Sequence, residues 1–102
     1  MLARLTVATF APAVGETFVL VDDDAGRLDL ELLDARTHAP DAPPVDATGV
    51  RSPFSLTFRG PREPLLPQRI RRLEHAAVGP LELFLVPIGQ DATGTRYQAV
   101  FG

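Results

Sequence analysis

The chain has 102 residues, of which 45% are hydrophobic and 23% charged, and its formal net charge is −3. This length is typical of one domain with a single core, and the hydrophobic content excludes an intrinsically disordered chain. The chain has no cysteine, which excludes disulfides, thiolate catalysis and cysteine-ligated metals. We therefore expect a single domain spanning residues 1–102.

The sequence shows no segment that would direct the chain into or across a membrane. No apolar run approaches the roughly 18 residues that a membrane helix needs. At the N-terminus, Arg4, Thr6 and Thr9 interrupt any apolar stretch, so we expect no signal peptide and no membrane partner. These features favour a cytoplasmic protein, and export by a route that reads no N-terminal signal stays open.

Charge is divided unevenly between the two halves of the chain. Residues 1–50 hold nine acidic residues and three arginines, a balance of −6, whereas residues 51–102 hold four acidic residues and seven arginines, a balance of +3. Opposite charges on opposite faces would favour self-association or a charged partner. If the two halves instead intermingle in one domain, the charges neutralise each other.

The first segment, Leu5 to Gly15, predicts one or two helical turns. Thr6 is suited to cap the start of such a turn. Leu5, Phe10 and Val14 would form its apolar face. We expect this segment to cover one end of the core.

A β-hairpin and a long loop are predicted next. The predicted strands are Glu16–Val21 and Arg27–Ala35, joined by an acidic turn in which Gly26 is free to adopt a positive φ. Residues 38–52 follow as a loop with three prolines, at positions 40, 43 and 44. Loops of this length are usually mobile, functional or ordered by a partner.

Four more strands complete the predicted fold, at Phe54–Phe58, Gln68–His75, Leu81–Ile88 and Thr95–Phe101. Between the first two, Leu65 and Leu66 are expected to plug one end of the core. In the second, the apolar residues Ile70 and Leu73 are three apart, which predicts a β-bulge. We expect a turn at Gly89–Gly94. The whole pattern predicts an all-β domain of six or seven antiparallel strands, either a small barrel or a sandwich, with a short N-terminal helical turn.

The strand at residues 81–88 is apolar on both faces. Leu81, Leu83 and Leu85 alternate with Phe84, Val86 and Ile88. A strand of this kind lies centrally or is covered on its outer side. The outer residues therefore contact either the N-terminal segment or another subunit.

Candidate catalytic and metal-binding residues are few. His38 and His75 are the only histidines, and we expect both at the surface or packed in turns. An enzyme would need a pocket that joins His75 to distant acids. The acidic turn at residues 22–26 has alanine where a calcium loop needs its third acid, which favours a solvated hairpin tip. We predict no catalytic, cofactor-binding or metal-binding residues, no cofactor and no enzymatic activity.

Five arginines, at positions 59, 62, 69, 71 and 72, form the densest charged cluster. Guanidinium groups suit phosphates and carboxylates, so this cluster could bind an anionic ligand or nucleic acid. However, no aromatic residues interleave with the arginines, and the chain is acidic with a pI near 5.2. We therefore favour protection of an edge strand or pairing with the acidic half of a second subunit.

Several short motifs occur together in this chain. They are R-G-P, L-P-Q, L-E-H, G-x-L and F-L-V-P-I-G within residues 53–89, T-x-x-x-F and V-G-x-x-F before them, and R-Y-x-A-V-F at the end. With them the chain resembles a small uncharacterised bacterial domain family, across nearly its whole length apart from residues 38–51. That family is loosely associated with fibre proteins of the phage-tail-collar type. The resemblance implies an aromatic residue where this chain has Arg71.

Together these features predict a non-enzymatic structural or accessory protein that acts through protein–protein contacts. It would form a homo-oligomer or join a larger, tail-like assembly. The alternative is a small module that binds an anionic ligand or nucleic acid through its arginines. The predicted interface residues are Phe84, Val86, Ile88, Arg59, Arg62, Arg69, Arg71 and Arg72.

Overall fold

A computed structural model describes residues 5–22, 26–38, 41 and 52–101. The chain forms a short helix, a 3₁₀ turn and six strands within these ranges. They are α1 (Val7–Phe10), the 3₁₀ turn (Ala11–Ala13), β1 (Thr17–Asp22), β2 (Gly26–Thr37), β3 (Phe54–Gly60), β4 (Arg69–Glu74), β5 (Leu81–Asp91) and β6 (Gly94–Phe101). The predicted all-β class and the N-terminal helical turn are confirmed.

The six strands form a closed antiparallel barrel in the order β1-β2-β3-β6-β5-β4. The longest ladder joins β3 to β6, from Phe54 opposite Phe101 to Gly60 opposite Thr95. The barrel closes where β1 meets β4, with Leu20 opposite Leu73. The structure thereby decides for a barrel over a sandwich, because the last strand in the order pairs with the first.

The barrel interior is filled by alternate apolar side chains from every strand, as the period of two requires. Phe18 and Phe58 meet edge to face with ring centroids 5.4 Å apart. Burying each such leucine or phenylalanine contributes about 1.5–3 kcal/mol. The largest apolar side chains in this core are Tyr97, Phe10, Phe18, Phe54, Phe58, Leu20, Leu30, Leu32, Leu56, Leu73 and Leu85.

The N-terminal segment covers one end of the barrel, as predicted. The backbone N–H of Thr6 donates to Thr9 Oγ1 at 3.1 Å, which holds the first turn. The ring of Phe10 is fully buried, with its centroid 5.9 Å from those of Phe54 and Phe101. The prediction for Val14 is wrong, because the tighter 3₁₀ turn buries Ala13 and leaves Val14 exposed.

The β-bulge predicted in the fourth strand is wrong. The β4–β5 register runs without a break from Arg69 opposite Leu85 to Leu73 opposite Leu81. Ile70 therefore points outward and is 61% exposed, whereas Arg71 points inward and is 2% exposed. The inward position of Arg71 is stabilised by a hydrogen bond that its Nη2 donates to the Pro67 carbonyl at 2.8 Å.

Register shifts occur in other strands, between Leu32 and Asp34 in β2 and between Pro87 and Gly89 in β5. Because the second shift keeps β5 paired with β6, β5 continues to Asp91. The turn predicted at residues 89–94 is therefore present but shorter, since only residues 92–93 form it.

The two leucines that precede β4 have different environments. Leu66 is buried, and its N–H donates to the Tyr97 hydroxyl at 3.1 Å. Leu65 is exposed, so only one of the two leucines predicted to fill this end of the core does so. Most of the predicted loop at residues 38–52 and the tip of the acidic turn at residues 23–25 lie outside the described residues. Gly26 does have a positive φ, of 74°.

None of the helices in the described ranges is long and apolar enough to cross a membrane.

Candidate interaction surface

The outer side of β4, β5 and β6 carries a group of exposed apolar side chains. Ile70 lies opposite Phe84 in the β4–β5 ladder, and the two are 61% and 52% exposed. Val86 lies opposite Gln98 in the β5–β6 ladder, and two residues farther along both strands lie Phe84 and Val100. Val100 is 64% exposed. We call the exposed Ile70, Phe84 and Val100, together with the half-buried Val86, the apolar face.

This surface includes part of the interface expected from the sequence. Phe84 and Val86 lie on the outer side of β5, and Ile88 lies exposed at the register shift beside them. Within the described residues, α1 lies over the barrel end at Phe10 rather than over these side chains. Ile70 was not predicted at this surface, because a β-bulge was expected between Ile70 and Leu73. A regular alternation along β4, with Arg71 inside, would have placed Ile70 outside.

Charges of both signs border the apolar face. Arg72 lies opposite Glu82 in the β4–β5 ladder, one outward position beyond Ile70 and Phe84. Arg69 and Glu74 are the other exposed charged residues of β4. Arg69 has the inward parity of its partner Leu85, and Glu74 lies farther along β4 opposite Val19 of β1. Arg72 and Glu82 therefore form the border beside the apolar face, with one charge of each sign.

An open groove of about 730 Å³ begins at this charged border. Arg72 and Glu82 line its near side, and its remaining walls come from the N-terminal segment and the β4–β5 turn. Those walls are mainly apolar and are formed by Leu5, Thr9, Ala77, Val78, Pro80 and Leu81. A convex apolar face and a concave apolar groove therefore adjoin on one side of the barrel.

The five arginines of the predicted cluster do not share one surface. Arg59 Nη2 binds Glu31 Oε1 at 2.6 Å on the outer side of β2 and β3. Arg62 Nη1 donates to the Asp91 carbonyl at 3.0 Å. Arg71 lies inside the barrel, and Arg69 and Arg72 are exposed on β4. The five arginines therefore do not form one continuous basic surface.

His75 is fixed in the turn after β4, as predicted for a turn-packed histidine. Its Nδ1 accepts the backbone N–H groups of Ala77 and Val78, each at 3.1 Å. Its Nε2 lies 2.7 Å from Glu16 Oε1, which assigns the proton of the neutral ring to Nε2. The ring stacks on Phe18 with centroids 4.4 Å apart.

The structure thus joins His75 to a distant acid, the geometry that an enzymatic function would require. Both ring nitrogens are already engaged by protein groups, however, and the side chain is only 6% exposed. Asp29, Arg72 and Glu74 share a shallow depression with His75. In this arrangement the imidazole can hold the β4–β5 turn against the residue that precedes β1.

His38 makes a contact that sequence reasoning did not anticipate. Its Nε2 lies 2.9 Å from Ser55 Oγ, and its backbone N–H donates to the Pro53 carbonyl at 2.9 Å. Ser55 is 7% exposed, so its hydroxyl is largely closed to a substrate. The contact ties the end of β2 to the start of β3. Among the described residues, no group of three histidine or acidic side chains is arranged to hold a metal ion.

The comparisons with known proteins identify a family but no function. A family model described as a domain of unknown function, DUF6916, matches residues 5–101. No curated protein and no solved structure matches the chain. The predicted resemblance to an uncharacterised domain family is confirmed, and its association with tail proteins stays a prediction. Because the match spans nearly the whole chain, the protein belongs to the DUF6916 family of domains of unknown function.

Proposed function

We propose that this domain is a non-enzymatic accessory protein that acts through protein–protein contact, with the apolar face as its contact surface. The observation that carries the proposal is the cross-strand pair of Ile70 and Phe84, both more than half exposed. Removing apolar surface from water contributes about 25 cal/mol per Å². A large aromatic side chain on an outer face is also typical of residues that dominate binding energy.

The barrel topology favours contact through this face over addition of a strand. Each of the six strands pairs with a neighbour on both sides in the closed order. Closure reduces the free edge on which a partner strand would normally be added, although the closing β1–β4 ladder holds only two residue pairs. We therefore favour recognition of side chains, and the apolar face groups three exposed large apolar side chains on one side of the barrel, at Ile70, Phe84 and Val100.

The loose association of the family with tail-fibre proteins, expected from the sequence, would place this contact within a larger assembly. In such an assembly the domain would serve as one component, held by its apolar face. A contact of this kind needs no catalytic group and no bound cofactor.

The alternative function, binding of an anionic ligand or nucleic acid, has less support. Arg71 lies inside the barrel, and Arg59 binds Glu31. The exposed Arg69 and Arg72 have Glu74 on their own strand, which weakens the attraction for an anion. Binding of an oligonucleotide that weakens steeply with added salt and is lost in R69A/R72A would favour this alternative.

The proposed function is tested by capture of partners on immobilised wild-type protein from a lysate of its source cells. The variants are Phe84→Asp and a matched control, Val14→Asp, which places the same charge on an exposed apolar position outside the apolar face. Captured proteins are identified, purified and bound again as pure components.

We expect at least one purified partner, either another protein or a second copy of this chain, to bind wild type and Val14→Asp equally well. The same partner should bind Phe84→Asp at least about 30-fold more weakly. Circular dichroism verifies that each variant is folded. If folded Phe84→Asp retains every interaction of the wild type, the apolar face is not the contact surface.

A further inference from the structure

We propose that the partner of the apolar face is a second copy of this chain. The two copies would be related by a two-fold axis, and Phe84 of each copy would enter the groove beside Ala77 of the other. This inference rests on the proposed function, since it names the occupant of the same face.

The charges around the face are compatible with a second copy. A border of a single sign would place like charges against each other in a two-fold contact, which disfavours the dimer. Here Arg72 lies opposite Glu82, so the border beside the apolar face carries one charge of each sign. Each copy therefore presents both signs to the other, and self-contact does not require unlike patches from a different protein.

The shape of this side of the barrel is also self-complementary. The groove begins at Arg72 and Glu82, each two residues along its strand from Ile70 or Phe84. In a two-fold contact the same patch serves both copies, so a projecting residue and an adjacent groove on one molecule become two equivalent contacts. An aromatic side chain in an apolar pocket is the usual anchor of such an interface.

The size of the face sets the expected affinity. A stable interface usually buries about 800 Å² on each partner, and three exposed side chains, the half-buried Val86 and an adjoining groove reach this only in part. We expect a reversible dimer with a dissociation constant on the order of 10 µM. The contact is mainly apolar and its charges are balanced, so added salt should leave the affinity unchanged or increase it.

The test is sedimentation equilibrium of the purified protein from about 1 µM to about 1 mM, at low and high salt. The single-chain mass is 11.0 kDa, and we expect it to double as concentration rises. Phe84→Asp and Ala77→Glu should each raise the dissociation constant at least about 30-fold, whereas Val14→Asp should leave it unchanged. Ala77 is exposed in its turn, so the added glutamate blocks the groove without entering the core.

A mixture of the two variants tests the two-fold geometry itself. Phe84→Asp has lost its anchor but keeps an intact groove, and Ala77→Glu has lost its groove but keeps Phe84. The mixed dimer retains one of the two equivalent contacts, whereas either variant alone retains neither. An equimolar mixture should therefore dimerise at least about fivefold more tightly than either variant alone. A mixture that behaves like its separate components would show that Phe84 does not enter this groove.

The outcome separates this inference from the function on which it rests. A monomeric wild type across the whole concentration range overturns the second-copy proposal. The proposed function then still stands if a different pure protein binds in a manner that depends on Phe84. If neither self-association nor partner binding responds to Phe84→Asp, both proposals are wrong.

Discussion

The outer surfaces of β2–β3 and β4–β5 cover the same core but differ in how their side chains are satisfied. On β2–β3, Arg59 binds Glu31 at 2.6 Å, and His38 Nε2 lies 2.9 Å from Ser55 Oγ. On β4–β5, the corresponding outward positions hold Ile70 and Phe84, which are more than half exposed to water. On the β2–β3 surface, polar side chains thus bind one another within the molecule. The β4–β5 surface instead leaves apolar area exposed, which another molecule can bury.

The β2–β3 surface also joins the acidic and the basic half of the chain. Glu31 belongs to the acidic half and Arg59 to the basic half, yet they meet across one ladder. Antiparallel pairing of β2 with β3 brings the halves together and neutralises part of the charge within a single molecule. A head-to-tail contact driven by charge is correspondingly less favoured than one driven by the apolar face.

The largest expected effect comes from truncating one phenylalanine on each side of the comparison. Phe58 of β3 is fully buried, so Phe58→Ala should lower the free energy of unfolding by about 3–5 kcal/mol. Phe84→Ala removes the same atoms from an exposed position and should change it by no more than about 0.5 kcal/mol. Urea unfolding at a concentration well below the dimer dissociation constant measures both. Equal losses would mean that the β4–β5 outer side is covered within the molecule.

Two glycines give a second, smaller contrast between close and open packing. Gly94 has a φ of 138°, and a side chain there would collide with the Gly60 carbonyl where β6 meets β3. Gly94→Ala should therefore cost about 3 kcal/mol in unfolding free energy. Gly89 of β5 has no atom within 4 Å of the corresponding position, so Gly89→Ala should change stability by no more than about 0.5 kcal/mol. Thermal unfolding of the two variants side by side would reveal the difference, and a comparable loss in both would argue against the tight approach at Gly60.

The smallest expected effect is a pH dependence of stability that arises at the turn between β5 and β6. Strand β6 connects the β2–β3 side of the barrel to the β4–β5 side. The hydroxyl and backbone N–H of Thr93 and the guanidinium of Arg96 stabilise the ionised Asp91, and they hold the pKa of its carboxyl below its ordinary value. Because the folded pKa is below the unfolded one, this contribution to stability is complete above about pH 4 and is lost as pH falls further. Thr93→Ala should move the pKa of Asp91 upward toward its ordinary value.

An NMR titration of the Asp91 carboxyl measures this shift directly. Thr57→Ala, on the outer side of β3, serves as the matched control, because it removes the same hydroxyl far from the turn. An unchanged titration of Asp91 in Thr93→Ala would show that the threonine contributes little.

Much of the barrel was predictable from the spacing of apolar residues. Phe54, Leu56 and Phe58 alternate with small polar residues, and all three are buried. The pattern failed at Ile70 and Arg71, since apolar character alone assigns the isoleucine to the core and the arginine to the surface. The ladder to β5 reverses both, and Arg71 remains inside because a carbonyl of the preceding loop accepts its hydrogen bond.

The candidate surface was predictable only in part. Phe84, Val86 and Ile88 were visible as the second apolar side of one strand, but their neighbours Ile70 and Val100 belong to other strands. The groove near Ala77 is built from the N-terminal segment and the β4–β5 turn, which are about 70 residues apart in the chain. No local pattern encodes such a juxtaposition.

The sequence by itself determined the strand class, the covering helical turn and the alternation that fills the core, because these depend on neighbours within a few residues. The tertiary structure alone decided that six strands close into a barrel, that Arg71 turns inward, and that an apolar face adjoins a groove. These features depend on register between distant strands, where one ladder places every side chain of a strand inside or outside together.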